Sequence, residues 1–160
     1  MPMNRIKQFL IENTVKYTTI EHSPAYTAME IAESSHISGR KMSKTIIFRA
    51  DDQLCMAVVP ANFWVDCASL KKITRSSFVE IAQEKDFAEL FPECELGAMP
   101  PFGTLFGMIT FFDEKLLDTP LLSFNAGSHS QVMQMQTNDY LSLCNPVIVN
   151  ISTTHRFNAA

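Results

Sequence analysis

Residues 44–60 read KTIIFRADDQLCMAVVP, in which two apolar runs flank the polar triplet Asp51-Asp52-Gln53. Apolar runs of this length separated by a short polar break are typical of a β-hairpin. The sequence therefore predicts one strand over residues 44–50 and a second over residues 54–60. Because both runs contain few polar side chains, we expect the two strands to lie at the centre of a sheet.

Helical and extended patterns alternate along the rest of the chain. Apolar periodicity and chain breaks predict helices over 3–13, 28–34, 68–73, 78–91 and 137–143. β-Branched, aromatic and alternating stretches predict strands over 15–21, 105–113, 121–126, 130–136 and 147–151, and leave 62–66 irregular. The expected fold is α+β: one domain over 1–152 with a mixed, strongly curved β-sheet flanked by helices, then a frayed tail at 153–160.

Two polar motifs are expected to start helices. Thr27 is followed three residues later by Glu30, which is the pattern of a capping box at the start of the second helix. Thr137-Asn138-Asp139 is expected to cap the last helix, because side-chain oxygens at that position accept hydrogen bonds from the first backbone N–H groups.

Composition places the chain among ordinary globular proteins. It has 160 residues, of which 46% are hydrophobic and 19% are charged, enough for one hydrophobic core. The N-terminal residues lack the continuous apolar segment of a signal peptide, and no apolar run is long enough to span a bilayer. The four cysteines lie far apart without a CxxC motif, which favours reduced thiols and a cytoplasmic location.

The distribution of charge argues for a partner that is anionic over only part of its surface. The net charge of −4 argues against a protein that coats DNA, because such binding requires many phosphate contacts. Basic residues nevertheless form two groups along the chain, one of Arg40, Lys41 and Lys44 and the other of Lys71, Lys72 and Arg75. Ordinary solvated lysines are the alternative interpretation.

A loop rich in glycine and proline, GAMPPFG at residues 97–103, is the second informative stretch. Three of the five glycines fall between positions 97 and 107. Proline fixes φ near −65°, whereas glycine permits positive φ and a close approach of a ligand to the backbone. Such a loop holds one shape and can present backbone amides. Composition alone leaves two interpretations open, a tight connection between strands and a binding surface.

The sequence carries no recognisable metal-site or nucleophile motif. Its four histidines have neither i,i+4 spacing nor paired cysteines beside them. Gly127-Ser128-His129 does not have the flanking residues of a nucleophile elbow. We therefore expect neither a metal ion nor a cofactor.

Several short motifs nevertheless occur in a recognisable order. They are His22-Ser23-Pro24, Thr27-Ala28, Lys44-Thr45, the GxxPPFG loop, Asp113-Glu114 and FNAGSH at 124–129. In this combination the stretch from His22 to Leu143 resembles the YbaK-type aminoacyl-tRNA deacylases, also called the prolyl-tRNA synthetase-associated editing domain. The resemblance implies a compact barrel-like sheet. It also implies a free-standing enzyme that hydrolyses the ester joining a wrong, small amino acid to the 3′-terminal adenosine of a tRNA, usually tRNA(Pro).

The resemblance also implies roles for individual residues. Lys44 corresponds to the family's essential lysine, and we expect its ammonium group to face the ester carbonyl or the terminal phosphate. Backbone amides near Gly97 and Gly103 are expected to hold the developing oxyanion. Gly127 and His129 bear on the size of the amino acid accepted. The substrate's own ribose hydroxyl is implied to orient or activate the attacking water.

The complete expected site has three groups of residues and no metal. The expected catalytic residues are Lys44, Gly97, Gly103 and Gly127. The expected substrate-binding residues are His22, Thr45, Phe48, Pro100, Pro101, Phe102, His129 and Met133. The expected tRNA contacts are Arg40, Lys41, Lys71, Lys72 and Arg75. The expected partners are the 3′ acceptor end of an aminoacyl-tRNA and, as a candidate, prolyl-tRNA synthetase, but neither a membrane nor DNA.

Two other functions stay open on the sequence. The same fold would serve as a noncatalytic module that binds tRNA or a synthetase. An unrelated hydrolase would use Cys55 or Ser128 as its nucleophile. Two departures from the family pattern, Met42-Ser43 before Lys44 and Ala61-Asn62 after Pro60, leave the amino acid that is removed undetermined.

Overall fold

The computed structural model describes residues 4–22, 28–35, 37–95, 97–125 and 127–154. The helices are α1 (Asn4–Glu12), α2 (Ala28–Ser34), α3 (Cys67–Thr74), α4 (Glu84–Phe87) and α5 (Thr137–Cys144). The strands are β1 (Tyr17–Glu21), β2 (Ser43–Ala50), β3 (Gln53–Pro60), β4 (Trp64–Val65), β5 (Val79–Ile81), β6 (Thr110–Asp113), β7 (Leu121–Asn125), β8 (Gln131–Gln136), β9 (Val147–Val149) and β10 (Ser152–Thr153). In this part of the chain no helix is long and apolar enough to cross a bilayer.

The predicted hairpin is confirmed and lies inside the largest sheet. β2 and β3 pair antiparallel along their whole length, from Ser43 opposite Pro60 to Ala50 opposite Gln53. The sheet has the order β5-β2-β3-β6-β9, with β3–β6 and β6–β9 parallel and the other pairs antiparallel. The fold is therefore α+β with a mixed sheet, as predicted. The apolar density of the hairpin is explained by its position, because β3 is covered on both faces.

The remaining strands form two smaller sheets. One has the order β1-β8-β7, and the other pairs β10 with β4. An isolated bridge joins Met42 to Ser123, and the buried Ser43 hydroxyl donates a hydrogen bond to the Ser123 carbonyl oxygen at 2.7 Å. This bridge links β2 to β7, and the strands of the described residues form three sheets. A barrel-like closure of these sheets stays a prediction.

Two main apolar clusters cover the two faces of the large sheet. The first includes Ile47, Met56 and Val58 of the hairpin together with residues of α1, β7, β8 and α5. The second includes Phe48, Ala57 and Val59 with residues of β4 and α3. Neighbouring hairpin residues fall into different clusters because successive side chains of a strand point to opposite faces.

The predicted helix over 78–91 is wrong in its first half. This segment contains β5, α4 and a short 3-10 helix, Ala88–Leu90. The Asp51 carboxylate accepts hydrogen bonds from the N–H groups of Ser77 and Phe78, each at 3.0 Å, and Asp51 donates its own N–H to the Phe78 carbonyl at 2.8 Å. These contacts hold the segment along the edge of β2, where it forms an extended strand.

Three further segments differ from prediction in type, or by more than two residues at a boundary. The expected strand over 105–113 begins only at Thr110, because a 3-10 helix, Gly103–Phe106, ends at Gly107 with a left-handed φ of 69°. The expected irregular segment 62–66 contains β4, and its partner β10 includes Thr153, the first residue of the expected frayed tail. Residues 155–160 of that tail lie outside the described ranges.

The two helix-start motifs have different outcomes. Thr27 of the expected capping box lies outside the described residues, although α2 has the predicted bounds. The last helix begins at Thr137, but Gln136 is the residue at its N-cap and makes no side-chain capping bond. The Thr137 hydroxyl instead donates to the Thr119 carbonyl oxygen, which ties α5 to the residues that precede β7.

Candidate active site

A cleft of about 190 Å³ opens where β5 stops pairing with β2. β5 contacts β2 only at 48–50, so residues 44–47 of β2 line the cleft. The other walls come from residues 81–87, from Gly97 and Met99, and from the end of β7. The lining residues are Lys44, Thr45, Ile46, Ile47, Ile81, Ala82, Glu84, Phe87, Gly97, Met99 and Asn125.

The cleft brings together two residues predicted to be catalytic, Lys44 and Gly97, and one predicted to bind substrate, Thr45. They come from positions more than 50 residues apart in the sequence. A more enclosed concavity, between α1 and the 91–94 segment, contains no predicted site residue. The 190 Å³ cleft is therefore the candidate active site.

Lys44 lines this cleft, and its ammonium group lies over an aromatic ring. Its Nζ atom lies 4.6 Å from the centroid of the Trp64 ring, in a cation–π arrangement. Trp64 is half-buried and is the only tryptophan of the chain. The sequence predicted an irregular segment around Trp64, and the short span of β4 offered no local signal for this contact.

The segment that carries Trp64 is held in place by the C-terminal part of the chain. Trp64 pairs with Thr153 across β4 and β10. The fully buried Asp113 carboxylate accepts hydrogen bonds from the N–H groups of Lys115, at 2.9 Å, and Ile151, at 3.0 Å. The Lys115 ammonium group donates to Asn150 Oδ1 at 2.9 Å and to the Ser152 carbonyl oxygen at 3.1 Å. These bonds fix β10 and, through it, the ring beside Lys44.

The two predicted glycine motifs are joined by backbone hydrogen bonds. The Glu95 N–H donates to the Gly127 carbonyl at 2.8 Å, and the Gly127 N–H donates to the Ala98 carbonyl at 3.1 Å. The Glu95 carboxylate accepts a hydrogen bond from the His129 N–H at 2.8 Å and lies 3.8 Å from His129 Nε2. The loop at 95–98 and the loop at 127–129 therefore form one unit.

Gly97 occupies the exposed side of this unit, facing the cleft. Its φ is +86°, a conformation that glycine adopts without strain. A Cβ atom at this position would meet only His129 Cε1, at 3.5 Å. The N–H groups of Gly97 and Met99 donate to no other residue in the described part of the chain. Two backbone donors next to an open cleft can stabilise negative charge that develops on a substrate oxygen.

Asn125, at the end of β7, was not predicted as a site residue. It is 5% exposed and lines the cleft, and within the described ranges its Oδ1 atom has no hydrogen-bond partner. The sequence signal was its position in FNAGSH, one of the motifs that carry the family resemblance. The residues around Asn125 in the sequence do not distinguish it from any other asparagine at the end of a strand.

The other predicted substrate-binding residues lie outside the cleft. Phe48 is fully buried in the cluster on the other face of the large sheet, and Phe102 and Met133 are fully buried in the first cluster. Pro100 and Pro101 are buried, and the Pro101 carbonyl accepts a hydrogen bond from the Tyr140 hydroxyl. These residues are buried and do not line the cleft.

Gly103 and His22 are also located by specific contacts. A Cβ atom on Gly103 would lie 2.1 Å from Thr110 Oγ1 and 2.7 Å from the Met108 carbonyl oxygen, so close packing requires glycine there. Gly103 does not line the cleft. The His22 N–H donates to the Ser130 carbonyl at 2.9 Å, which places His22 next to the loop at 127–129.

The predicted tRNA-binding residues occupy two separate surfaces. Lys71 and Lys72 are exposed in the last turn of α3, and the exposed Arg75 forms its C-cap. Arg40 lies 3.8 Å from Asp118 in an exposed ion pair. Lys41 is exposed and lines a second concavity. All five side chains lie on the surface, as a phosphate contact requires.

Neither Cys55 nor Cys67 has the lowered pKa that is typical of a nucleophilic thiol. Burial raises the pKa of the Cys55 thiol, which is 4% exposed in the second cluster, so the nucleophilic thiolate is disfavoured at neutral pH. Burial and the neighbouring Asp66 raise the pKa of Cys67. Among the residues with described positions, no three His, Cys, Asp or Glu side chains form a cluster that could hold a metal ion.

Comparison with solved structures identifies the same fold in other proteins. The chain superposes on a hypothetical protein with a TM-score of 0.85 at 16% identity, covering 94% of this chain and 100% of the other. It superposes on a candidate trans-editing enzyme for prolyl-tRNA synthetase with a TM-score of 0.82 at 17% identity, covering 95% and 97%. At these identities the comparisons establish the fold.

Sequence comparison identifies the family. A proline–tRNA ligase of Bacillus cereus is 28% identical over 74 residues, which are 46% of this chain and 13% of the ligase. The match therefore spans only a small part of the curated relatives. The family model of the aminoacyl-tRNA editing domain matches residues 22–143, which includes the residues of the cleft. The chain therefore belongs to the aminoacyl-tRNA editing domain family.

Proposed function

We propose that this protein is a free-standing deacylase that hydrolyses the ester of a mischarged tRNA, with tRNA(Pro) carrying a small wrong amino acid as the favoured substrate. The observation that carries the proposal is the cleft itself, because Lys44 and Gly97 both line it. The proposed catalytic domain is residues 1–152, and its proposed setting is the cytoplasm, where translation takes place. The preference for tRNA(Pro) is supported by the proline–tRNA ligase match and by the candidate trans-editing enzyme of the same fold.

The proposed reaction is attack of water on the carbonyl carbon of the aminoacyl ester. A C–O bond forms to water, and the tetrahedral oxyanion is held by the N–H groups of Gly97 and Met99. One such donor is typically worth about 2.7–4 kcal/mol of transition-state stabilisation. The bond to the ribose oxygen then breaks, and the proton released by the water is transferred to that oxygen. The products are a free amino acid and an uncharged tRNA.

Lys44 supplies positive charge to the lining of the cleft. Its ammonium group can neutralise the developing oxyanion or hold the terminal phosphate while the ester reaches the amides. An aminoacyl ester is already activated, so the reaction needs positioning and electrostatic stabilisation more than a strong nucleophile. The family resemblance assigns the orientation of water to the ribose hydroxyl of the substrate, and the proposed reaction includes this role.

Selection of a small amino acid is attributed to the apolar wall of the cleft. That wall contains Ile47, Ile81, Ala82, Phe87 and Met99. An apolar pocket discriminates one methylene group by only about 1–3 kcal/mol, so we expect several small amino acids to be accepted. The expected influence of His129 on amino-acid size stays a prediction; its Cε1 atom lies 3.5 Å from the position that a Cβ atom on Gly97 would take.

A deacylation panel tests the proposal. tRNA(Pro) charged with alanine, serine, cysteine or proline is incubated with the wild type, with Lys44→Ala and with Lys16→Ala. Lys16 is an exposed lysine between α1 and β1, so its variant controls for the loss of one positive charge. We expect hydrolysis of at least one small aminoacyl ester, a loss of about 100-fold or more in Lys44→Ala, and normal activity in Lys16→Ala.

Two outcomes would contradict the proposal. Hydrolysis of none of the four esters, together with binding of tRNA or prolyl-tRNA synthetase, would favour the noncatalytic module. Full activity in Lys44→Ala would remove Lys44 from the mechanism and would require a different centre.

A further inference from the structure

Asn125 lines the cleft and has a buried hydrogen-bond acceptor without a partner among the described residues. The side chain is 5% exposed, and its Oδ1 atom accepts no hydrogen bond from any residue whose position is described. A buried amide oxygen that lacks a donor destabilises the folded protein, and such groups in native structures generally meet a ligand or water. The location of Asn125 in the cleft, with Lys44 and Gly97, indicates that a bound substrate supplies the donor.

A second side chain that accepts hydrogen bonds comes from α4. Glu84, in the first turn of α4, is exposed and lines the same cleft. The lining of the cleft thus includes one cationic side chain, Lys44, and side chains that accept hydrogen bonds, among them Asn125 and Glu84. An aminoacyl ester has the complementary charges, because its ester oxygens accept hydrogen bonds and its α-ammonium group donates them.

We infer that Asn125 Oδ1 accepts a hydrogen bond from the α-ammonium group of the aminoacyl ester, with Glu84 adding charge complementarity. The inference rests on the proposed function, since it concerns the substrate of the same cleft. A charged donor is favoured over the ribose hydroxyl because hydrogen bonds from ionised groups are roughly twice as strong as neutral ones. Asn125 is therefore a specificity residue that recognises a free amino group.

This recognition separates two classes of substrate with the same ester. In an N-acylated ester, such as that of a peptidyl-tRNA, the α-nitrogen is an uncharged amide that carries only one N–H and a bulky substituent. Such a nitrogen lacks the charge that Glu84 complements and is a weaker donor to Asn125. The cleft therefore favours aminoacyl-tRNA and spares peptidyl-tRNA.

The test compares alanyl-tRNA with N-acetylalanyl-tRNA in three variants. Asn125→Leu removes the acceptor at similar size, Asn125→Asp keeps an acceptor, and Ser123→Ala is the matched control. Ser123 also lies in β7, but it accepts a hydrogen bond from Gln134 and does not line the cleft. For alanyl-tRNA we expect kcat/KM to fall about 10- to 100-fold in Asn125→Leu. We expect a smaller fall in Asn125→Asp and none in Ser123→Ala.

Two further readouts separate recognition from a structural role. Thermal unfolding of the free protein should show Asn125→Leu as stable as the wild type or more stable, because an unsatisfied buried acceptor has been removed. Binding is measured with alanyl-adenosine linked through an amide in place of the ester, and with its N-acetyl form. The wild type should bind the free-amino analogue about 10-fold or more tightly than the N-acetyl form, and Asn125→Leu should lose this preference.

The inference and the proposed function fail on different results. Equal affinity of the wild type for the two analogues, or an unchanged preference in Asn125→Leu, would overturn the role of Asn125 even if both esters are hydrolysed. If no ester is hydrolysed but the free-amino analogue is preferred, the deacylase proposal fails and the recognition of the amino group stands.

Discussion

The Lys44 ammonium group lies 4.6 Å from the centroid of the Trp64 ring. The lysine belongs to the central hairpin, whereas the tryptophan belongs to a two-residue strand held by the C-terminal part of the chain. The contact restricts the orientations of the long, flexible side chain of Lys44, which lines the cleft. Trp64 is therefore a positioning residue for the group on which the proposed reaction depends.

Replacing Trp64 should weaken catalysis through Lys44. A cation–π contact is worth about 0.5–2 kcal/mol, so we expect Trp64→Leu to lower kcat/KM about 2- to 30-fold and Trp64→Phe to retain most of the activity. Phe63→Leu is the matched control, since the Phe63 ring makes the same kind of contact with Lys115, 5.2 Å from its centroid. Because Trp64 is the only tryptophan, its fluorescence should change in Lys44→Met. Full activity of Trp64→Leu would contradict the positioning role.

The glycines of the loop should separate into catalytic and packing positions. Gly97→Ala and Gly107→Ala both place a side chain at positive φ, +86° and +69°, and neither meets a close contact. We expect similar destabilisation in both, roughly 1–2 kcal/mol, but reduced deacylation only in Gly97→Ala. The measurements are thermal unfolding and kcat/KM on alanyl-tRNA. Equal activity in the two variants would argue against an oxyanion contact at Gly97.

Gly103→Ala should act on stability. Its Cβ atom would lie 2.7 Å from the Met108 carbonyl oxygen, a backbone atom that cannot turn away, so the loop must shift. Overpacking of this kind typically destabilises a protein by about 1–3 kcal/mol. Denaturant unfolding should show Gly103→Ala to be less stable than the wild type by this amount. If Gly103→Ala were as stable as the wild type and inactive, the catalytic role first expected for this glycine would be supported.

The two basic surfaces should contribute to tRNA affinity through phosphates. Alanine at both Lys71 and Lys72, or at both Arg40 and Lys41, should weaken tRNA binding and reduce its dependence on salt. A plot of log affinity against log salt has a negative slope. For each single-strand phosphate that is no longer neutralised, this slope should become less steep by about 0.7. Binding is measured by salt titration, with Lys16→Ala as the control for a surface lysine outside both groups. An unchanged slope in either double variant would remove that surface from the interface.

The buried thiol of Cys144 should make the fold sensitive to alkali. Burial raises the pKa of Cys144 to about 12 and that of Cys94 to about 11, from a usual 9.0, and burial also raises the pKa of Tyr140. Well below pH 9 these groups are protonated in both the folded and the unfolded state, and their contribution to stability is fully present. As the pH rises above 9 the unfolded chain releases protons first, so the folded state loses stability until the pH passes the folded pKa.

For Cys144 alone this loss reaches up to about 4 kcal/mol. We therefore expect the free energy of unfolding to fall more steeply between about pH 9 and pH 11 in the wild type than in Cys144→Ala. Cys67→Ala removes a half-exposed thiol whose pKa is also raised, but by less than that of Cys144, so it should flatten the slope less than Cys144→Ala does. Identical slopes in the wild type and Cys144→Ala would show that this thiol is not protected in the folded state.

Much of the fold was predictable because its signals are local. The prediction of the hairpin was correct because its two apolar runs and the turn at Asp51-Asp52 lie within 17 consecutive residues, 44–60. The helix predicted over 78–91 was wrong in its first half. The apolar residues there have helical spacing, but hydrogen bonds from Asp51, which lies 26 residues before Ser77, hold the segment in an extended conformation. In the same way, β4 is a strand only because β10 pairs with it from the other end of the chain.

The sequence by itself determined the central hairpin, the α+β class and the family, together with the lysine and glycine motifs that the cleft brings together. Tertiary structure alone decided which side chains face that cleft. Strand alternation assigns Thr45 and Phe48 to opposite faces, but not which face meets the glycine loop. Segments distant in sequence likewise place Trp64 beside Lys44 and leave Asn125 Oδ1 without a hydrogen-bond donor among the described residues. Contacts of this kind are set by the packing of whole sheets, and no local pattern records them.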